Sequence, residues 1–357
     1  MMMILPTIDI AKKYHIFFFL FLISLTLLHA LPVKQDRKPA ADVQTQIIGV
    51  NKDKHPHYLY LPATRDPNRT YWLVCYAHGA HDFGHDNIVS LKYFVERGDC
   101  IGLAPSFDEG FQLLENGTDV QLTQLFDQLK KQYNLHDKLF IFGHSGGGQF
   151  AHRFMMRYPD LVIGCAASSS GTWATGGKVY HEINTAAQNI PLAISCGSND
   201  QARIGGIIER LSTQYSETAS DGRQNPGWTR NEWFWQFQEQ LEEGNFFFKE
   251  KEISGAAHRI EETEQEQLAL EAFLLGTSGM LPEERAWYDK GIAMIQNNSA
   301  NHELVNQELE QLNQKVESRS KESLGKTLEA QGWHFSTQAL ECCMKAAKEF
   351  VGEEVIF

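Results

Sequence analysis

One fifteen-residue segment constrains this chain more than any other: Lys138-Leu-Phe-Ile-Phe-Gly-His-Ser-Gly-Gly-Gly-Gln-Phe-Ala-His152. A β-branched and aromatic run predicts a buried strand. A helical pattern predicts the stretch from Gly147 onward, and between them lies Gly143-His144-Ser145-Gly146-Gly147, a Gly-x-Ser-x-Gly turn. A strand, a sharp turn and a helix in this order lift a serine hydroxyl clear of a sheet edge, and small residues on either side are required because strand and helix close in on the turn. The helix that begins under the serine presents its first amides and the positive end of its dipole to charge developing there. Ser145 is therefore the candidate nucleophile.

The surrounding chain reads as a sheet of the kind such a turn needs. Candidate strands are Val43 to Val50, His57 to Leu61, Tyr71 to Ala77, Cys100 to Ala104, Lys138 to Phe142, Val162 to Ala166, Leu192 to Cys196 and Phe246 to Ile253. Several are apolar without alternation, as strands covered on both faces are. Helical patterns fall at Val120 to Tyr133, Gly147 to Tyr158, Ile207 to Tyr215, Arg230 to Glu242 and Glu261 to Leu275. The prediction is an α/β fold with a mostly parallel, eight-stranded sheet flanked by helices. After Gly276 no strand signal is read. Val305, Leu309, Leu312 and Val316 share one helical face, and a second amphipathic helix runs from about Ser336 to Val351, so residues 280–357 are expected to form a C-terminal helical extension.

A serine hydroxyl attacks only when a base takes its proton, and that base must be oriented by a carboxylate. Asp200 ends the strand Leu192 to Cys196 and its short loop, 55 residues after Ser145; His258 follows the strand ending at Ile253, 58 residues further on. Both stand after strands, at the predicted sheet edge of the serine, in the order nucleophile, acid, base. Asp221 and Glu252 are weaker substitutes for the acid. The oxyanion donors are expected to be the amides of Gly146 and of Ala80, the latter in the loop Ala77-His-Gly-Ala-His-Asp-Phe-Gly84. His78, His81, Asp82 and His85 in that loop also have the composition of a zinc site, but the oxyanion reading already employs the His-Gly step, so neither a metal nor any other cofactor is expected. Trp173, His144 and His81 are read as substrate-contacting, with residues 171–189 as part of a cap, while Trp228, Trp233 and Trp235 are read mainly as packing a helix on the sheet.

The Gly-His-Ser-Gly-Gly-Gly-Gln-Phe-Ala-His elbow and the His-Gly loop resemble those of the α/β-hydrolase superfamily, over residues 43–275, and within it the branch of polyhydroxybutyrate-depolymerase-like and feruloyl-esterase-like proteins. The resemblance implies ester hydrolysis through an acyl-enzyme, without cofactor, by Ser145, Asp200 and His258. No polymer-binding module is seen, so the expected substrate is a small or oligomeric ester. A serine peptidase on the same fold, or a non-catalytic binding protein that keeps the fold, are the alternatives.

The formal net charge of −13 and pI near 5.5 exclude a basic nucleic-acid-binding surface of the usual kind. At the N-terminus, Lys12 and Lys13 precede an apolar run from Ile16 through Leu28, followed by Ala30. This is the layout of an export signal over residues 1–30, with residues 31–42 as a linker to a catalytic domain at 43–276. Extended to Val33, the same run would instead hold an external catalytic domain on a single-pass anchor. Export would ordinarily raise the question of disulfides. Cys75, Cys100, Cys165 and Cys196, however, fall in predicted buried strands, and Cys342 and Cys343 are adjacent, so all six are expected as free, buried thiols. The seam on the C-terminal helices is expected either to pack on the catalytic domain or to join two copies of the chain.

Overall fold

The computed structural model describes residues 45–48, 56–63, 65–108, 110–114, 116–174, 183–202, 229–259, 262–297 and 302–354. The predicted export segment and linker lie outside the described residues, as do Asp221, Trp228, the helix expected at 207–215 and residues 175–182 of the predicted cap. Among the described residues no helix is long and apolar enough to cross a membrane.

Nine strands form one sheet: β1 (Thr45–Ile48), β2 (His57–Tyr60), β3 (Tyr71–Ala77), β4 (Cys100–Ala104), β5 (Leu135–His144), β6 (Val162–Ser168), β7 (Leu192–Gly197), β8 (Phe248–Ile253) and β9 (Trp333–His334). Their spatial order is β1-β2-β4-β3-β5-β6-β7-β8-β9. The first two strands run antiparallel to their neighbours, β4 through β8 are parallel, and β9 closes the far edge antiparallel to β8. The longer helices are α1 (Thr118–Gln132), α2 (Gly146–Arg157), α3 (Arg230–Glu243), α4 (Glu262–Ser278), α5 (Pro282–Asn297), α6 (His302–Glu317), α7 (Lys321–Ala330) and α8 (Thr337–Glu354). A parallel sheet with β2 antiparallel and a nucleophile-type turn between its central strand and the next helix is the α/β-hydrolase fold.

Both faces of the sheet are covered, which explains the strands without apolar alternation. In β3 and β5, Leu73, Cys75, Leu139 and Ile141 enter one core with α1, α2 and α3, while Val74, Tyr76, Phe140 and Phe142 enter a second with α4. Successive side chains therefore serve two cores, and neither face is left to water.

The C-terminal region departs from the expected strand-free extension. Leu324, Leu328, Trp333, Ala339, Leu340 and Cys343 belong to the same second core as Phe140 and Phe273. Trp333 and His334 pair with Lys249 and Phe248 as a ninth strand, too short to leave a periodic signal in the sequence. Buried Arg285 of α5 reaches Asp99 at 3.3 Å and Asp289 at 2.7 Å, binding the extension to the turn before β4. Of the predicted seam on α6, Val316 packs inward against a small cluster with Met280, Tyr288 and Val351, and the side chains at 305, 309 and 312 lie outside those described. The cysteines are free, and five are buried; Cys342 is exposed, on the outward face of α8.

Candidate active site

The parallel register brings the carboxyl ends of β3, β5, β6, β7 and β8 to one edge, where Ala77 pairs with Gly143, His144 with Ser168, Ser168 with Ser195 and Gly197 with Ile253. Crevices at this edge are where open α/β sheets hold ligands. Ser145 stands on it with φ 55° and ψ −117°, a conformation that costs a non-glycine residue on the order of 1–3 kcal/mol. Its amide donates to Ser168 O at 2.9 Å and its carbonyl accepts from Gln149 N at 3.0 Å, which holds the turn in place. The crowding expected around the turn is severe at Gly147, where a β-carbon would lie 1.9 Å from Ala77 O. Only glycine lets α2 start this close to β3.

His258 and Asp200 arrive on two loops laced together. Asn199 N donates to Ala256 O at 2.8 Å, Asn199 Nδ2 to Gly255 O at 3.1 Å, and Gly255 N to Ser198 Oγ at 2.8 Å. The base loop crosses directly over Gly197, where a β-carbon would meet Ala256 O at 2.3 Å. The result is a continuous chain of polar contacts: Ser145 Oγ lies 3.0 Å from His258 Nε2, and His258 Nδ1 lies 2.9 Å from Asp200 Oδ2. Asp200 is buried, with Arg230 Nη1 3.4 Å from its second oxygen. Burial alone would raise the Asp200 pKa, but the hydrogen bond and charge of His258 and the charge of Arg230 outweigh it, and the carboxyl lies below its ordinary range. Of the weaker acids, Glu252 is exposed and accepts from Asn231 Nδ2 at 2.9 Å.

The amide of Gly146 is the first of α2, where no preceding turn supplies a carbonyl. A β-carbon on Gly146 would lie 2.8 Å from Ala80 N, so the two predicted donors flank the same small space beside Ser145. Among the described residues no backbone hydrogen bond outside the regular elements uses the Ala80 amide. The loop is set by His78, which is buried: Nδ1–H donates to Gly79 O at 2.7 Å and Nε2 accepts from Phe107 N at 2.9 Å. Burial lowers its pKa and keeps the ring neutral, in the one tautomer those two bonds allow. His78 is thus a fixed part of the loop. Among the described residues no group of three side chains is arranged to hold a metal ion.

The three substrate-contacting candidates separate. His81 is exposed on the loop rim with φ 69°. Trp173 does not face substrate: it is fully buried, stacked on Phe237 at 5.1 Å and tilted against His152 at 5.0 Å. The loop after β6 turns inward there, and an indole placed in that core fills the space between α2 and α3. His144 leaves the sheet on the face of Phe142 and meets Gln265 of α4, not the oxyanion loop. Trp233 is buried in the first core, and Trp235 is partly exposed with its indole N–H on Asn231 Oδ1 at 3.0 Å.

Arg230, Gln265 and Gln112 were not legible as site residues. Arg230 lies between the capping partners Thr229 and Glu232 at the start of α3, a local signal for the helix but not for where its first side chain points. Gln112, on a short turn after β4, has its Nε2 3.3 Å from where a β-carbon of Gly146 would sit.

No family model and no curated protein matches this chain. Among solved structures it is similar to a poly(3-hydroxybutyrate) depolymerase from Bordetella parapertussis, at 17% identity over 68% of this chain and 92% of that one, with a TM-score of 0.48. It is also similar to a poly(aspartic acid) hydrolase from Sphingomonas sp. KT-1, at 19% identity over 63% and 97% of the two chains and a TM-score of 0.47. A third similar structure is a ferulic acid esterase from Anaeromyces mucronatus, at 16% identity over 67% and 92% and a TM-score of 0.46.

Proposed function

We propose that this chain is a serine hydrolase that cleaves carboxylic esters through an acyl-enzyme. The observation that carries the reading is the unbroken relay from Asp200 through His258 to Ser145, at 2.9 and 3.0 Å, on a strained turn facing two amides.

The Ser145 hydroxyl gives its proton to His258 Nε2 as its oxygen attacks the ester carbonyl. The carbonyl oxygen, now an anion, sits between the amides of Gly146 and Ala80, which lie ready before charge develops. His258 is then an imidazolium, stabilised and oriented by the Asp200 carboxylate. Collapse of the tetrahedral intermediate expels the alkoxide, which takes the proton from Nε2 and leaves as an alcohol. Water repeats the sequence: His258 removes its proton, hydroxide adds to the acyl carbon, and Ser145 leaves with the proton returned. The hydrogen bond and charge of His258, and then the charge of Arg230, keep Asp200 ionised.

The resemblance of the elbow to depolymerase-like and feruloyl-esterase-like proteins supports an ester over an amide. The acidic charge speaks against a nucleic-acid partner, and the apolar segment at 16–28 supports placing the enzyme outside the cytoplasm, released or tethered. The test is reaction of the protein with a fluorophosphonate and location of the adduct by mass spectrometry. Labelling at Ser145, absent in Ser145→Ala, is the expected result; a folded protein that takes no label would favour the non-catalytic alternative. Parallel assays with p-nitrophenyl acetate and an aminoacyl anilide separate esterase from peptidase.

A further inference from the structure

His144 fills the variable position of the Gly-x-Ser-x-Gly turn, one residue from the nucleophile, and the relay just described does not use it. Its ring lies against that of His258, with centroids 4.8 Å apart and planes inclined by 39°. One nitrogen, Nδ1, is 3.3 Å from Gln265 Nε2. A neutral imidazole keeps an acceptor at Nδ1 for the Gln265 amide. The imidazolium has no acceptor to offer Gln265.

The surroundings keep the ring in that state. Burial, and then the positive charge His258 can carry, lower the His144 pKa to about 4, with Arg230 acting in the same sense and Asp200 against it. Near neutral pH the His144 ring therefore stays neutral. This matters because the His258 side chain is 38% exposed, on a loop tied by hydrogen bonds to Ser198 and Asn199.

We propose that His144 is a positioning residue for the general base: a neutral imidazole, oriented by Gln265 of α4, that packs against the His258 ring and keeps Nε2 aimed at Ser145. It does not contact substrate. The proposal rests on the serine-hydrolase reading, and it gives α4 a link to the chemistry through a single glutamine.

The experiment measures the fluorophosphonate labelling rate of Ser145 against pH, together with kcat and KM for p-nitrophenyl acetate, in the wild type and in His144→Phe, His144→Gln and Gln265→Leu. His144→Phe keeps the ring packing without the hydrogen bond to Gln265. It is expected to lower the labelling rate and kcat by about 10- to 100-fold, as misplacement of a reacting group does, with KM within about twofold. The pH dependence of its labelling rate should change as well, because a loosened His258 no longer keeps its contact with Asp200. His144→Gln, which again offers an acceptor, should recover most of the loss, and Gln265→Leu should show a smaller defect in the same direction.

A labelled wild type with His144→Phe within about threefold of it, at an unchanged pH midpoint, overturns the inference and leaves the serine-hydrolase reading standing. A defect that follows the melting temperature and that His144→Gln does not recover reduces His144 to a packing residue, which also overturns it. A wild type that takes no label at Ser145 sinks both readings together.

Discussion

Two regions of the described chain solve opposite problems. The sheet edge around Ser145 concentrates strain and close approach: a non-glycine residue at φ 55°, a helix start that tolerates no β-carbon at Gly147, and a base loop lying across Gly197. The region from Pro282 to Glu354 is regular helix, with a two-residue strand, and contributes through burial of Leu324, Leu328, Trp333, Leu340 and Cys343 and through the Arg285 pairs. One region spends stability to hold a geometry; the other supplies stability and carries none of the relay groups. Because α8 packs on α4, and α4 carries Gln265, the supplying region stands directly behind the strained one.

That comparison can be broken most severely by removing the supplier. A chain ending at Ser278 loses the five side chains just named, at about 2 kcal/mol each when buried, a sum comparable to the whole stability of an ordinary domain. It also bares the edge of β8. The expected outcome is loss of the cooperative thermal transition by calorimetry, and a truncated protein that melts normally would show the C-terminal helices to be a separable appendage after all.

Ser145→Gly probes the strained side alone. Activity should fall by about five orders of magnitude or more, while Tm should rise by roughly 2 °C as the left-handed backbone is relieved. A fall in Tm would mean that the elbow carries no strain. Next in size, Arg285→Ala leaves Asp99, 8% exposed, without its cation and removes the guanidinium that lies 4.1 Å over Phe350. The cost should be about 3 kcal/mol, seen as a denaturant midpoint shift with little change in kcat. Gly197→Ala should do the reverse. It pushes the base loop off the sheet edge, lowering kcat/KM by about 100-fold with a smaller effect on stability.

The smallest effect is a pH dependence set within β5 of the sheet. β5 has a neutral histidine at each end: His136, stacked on Trp72 at 3.7 Å, and His144, both with pKa lowered to about 4, chiefly by burial. The unfolded chain takes up these protons near pH 6.5, the folded chain only near 4. Their contribution to stability is thus fully present above about pH 6.5 and is lost as pH falls through that window. Tm should drop by roughly 2–5 °C between pH 7 and pH 4.5, and His136→Phe should remove part of the drop. A flat profile would show that the two rings gain protons without cost to the fold.

The ease with which these regions could be read from the sequence also differed. Ser145, Asp200 and His258 each follow a strand directly, so a strand pattern and a turn residue place them at one edge without any knowledge of packing. The direction in which a side chain leaves that edge is another matter. His144 and Trp173 were expected at substrate; one belongs to the α4 face because residues two apart in β5 share a face with Phe142, and the other is core because its loop turns inward. Arg230 and Gln265 enter the site from helices whose periodicity says which face is apolar but not what stands opposite the helix start. The ninth strand spans two residues, below the length at which alternation can be seen.

What the sequence by itself determined is therefore the order along the chain of the groups the proposed chemistry needs: the proposed nucleophile turn, acid, base and two amide donors, each tied to the end of a local element by short-range rules of backbone geometry. Which groups support them was decided only by the tertiary structure. The contacts of His144 with His258, Arg230 with Asp200, and the C-terminal helices with the sheet join residues far apart in the chain, and only register and close packing bring such residues together.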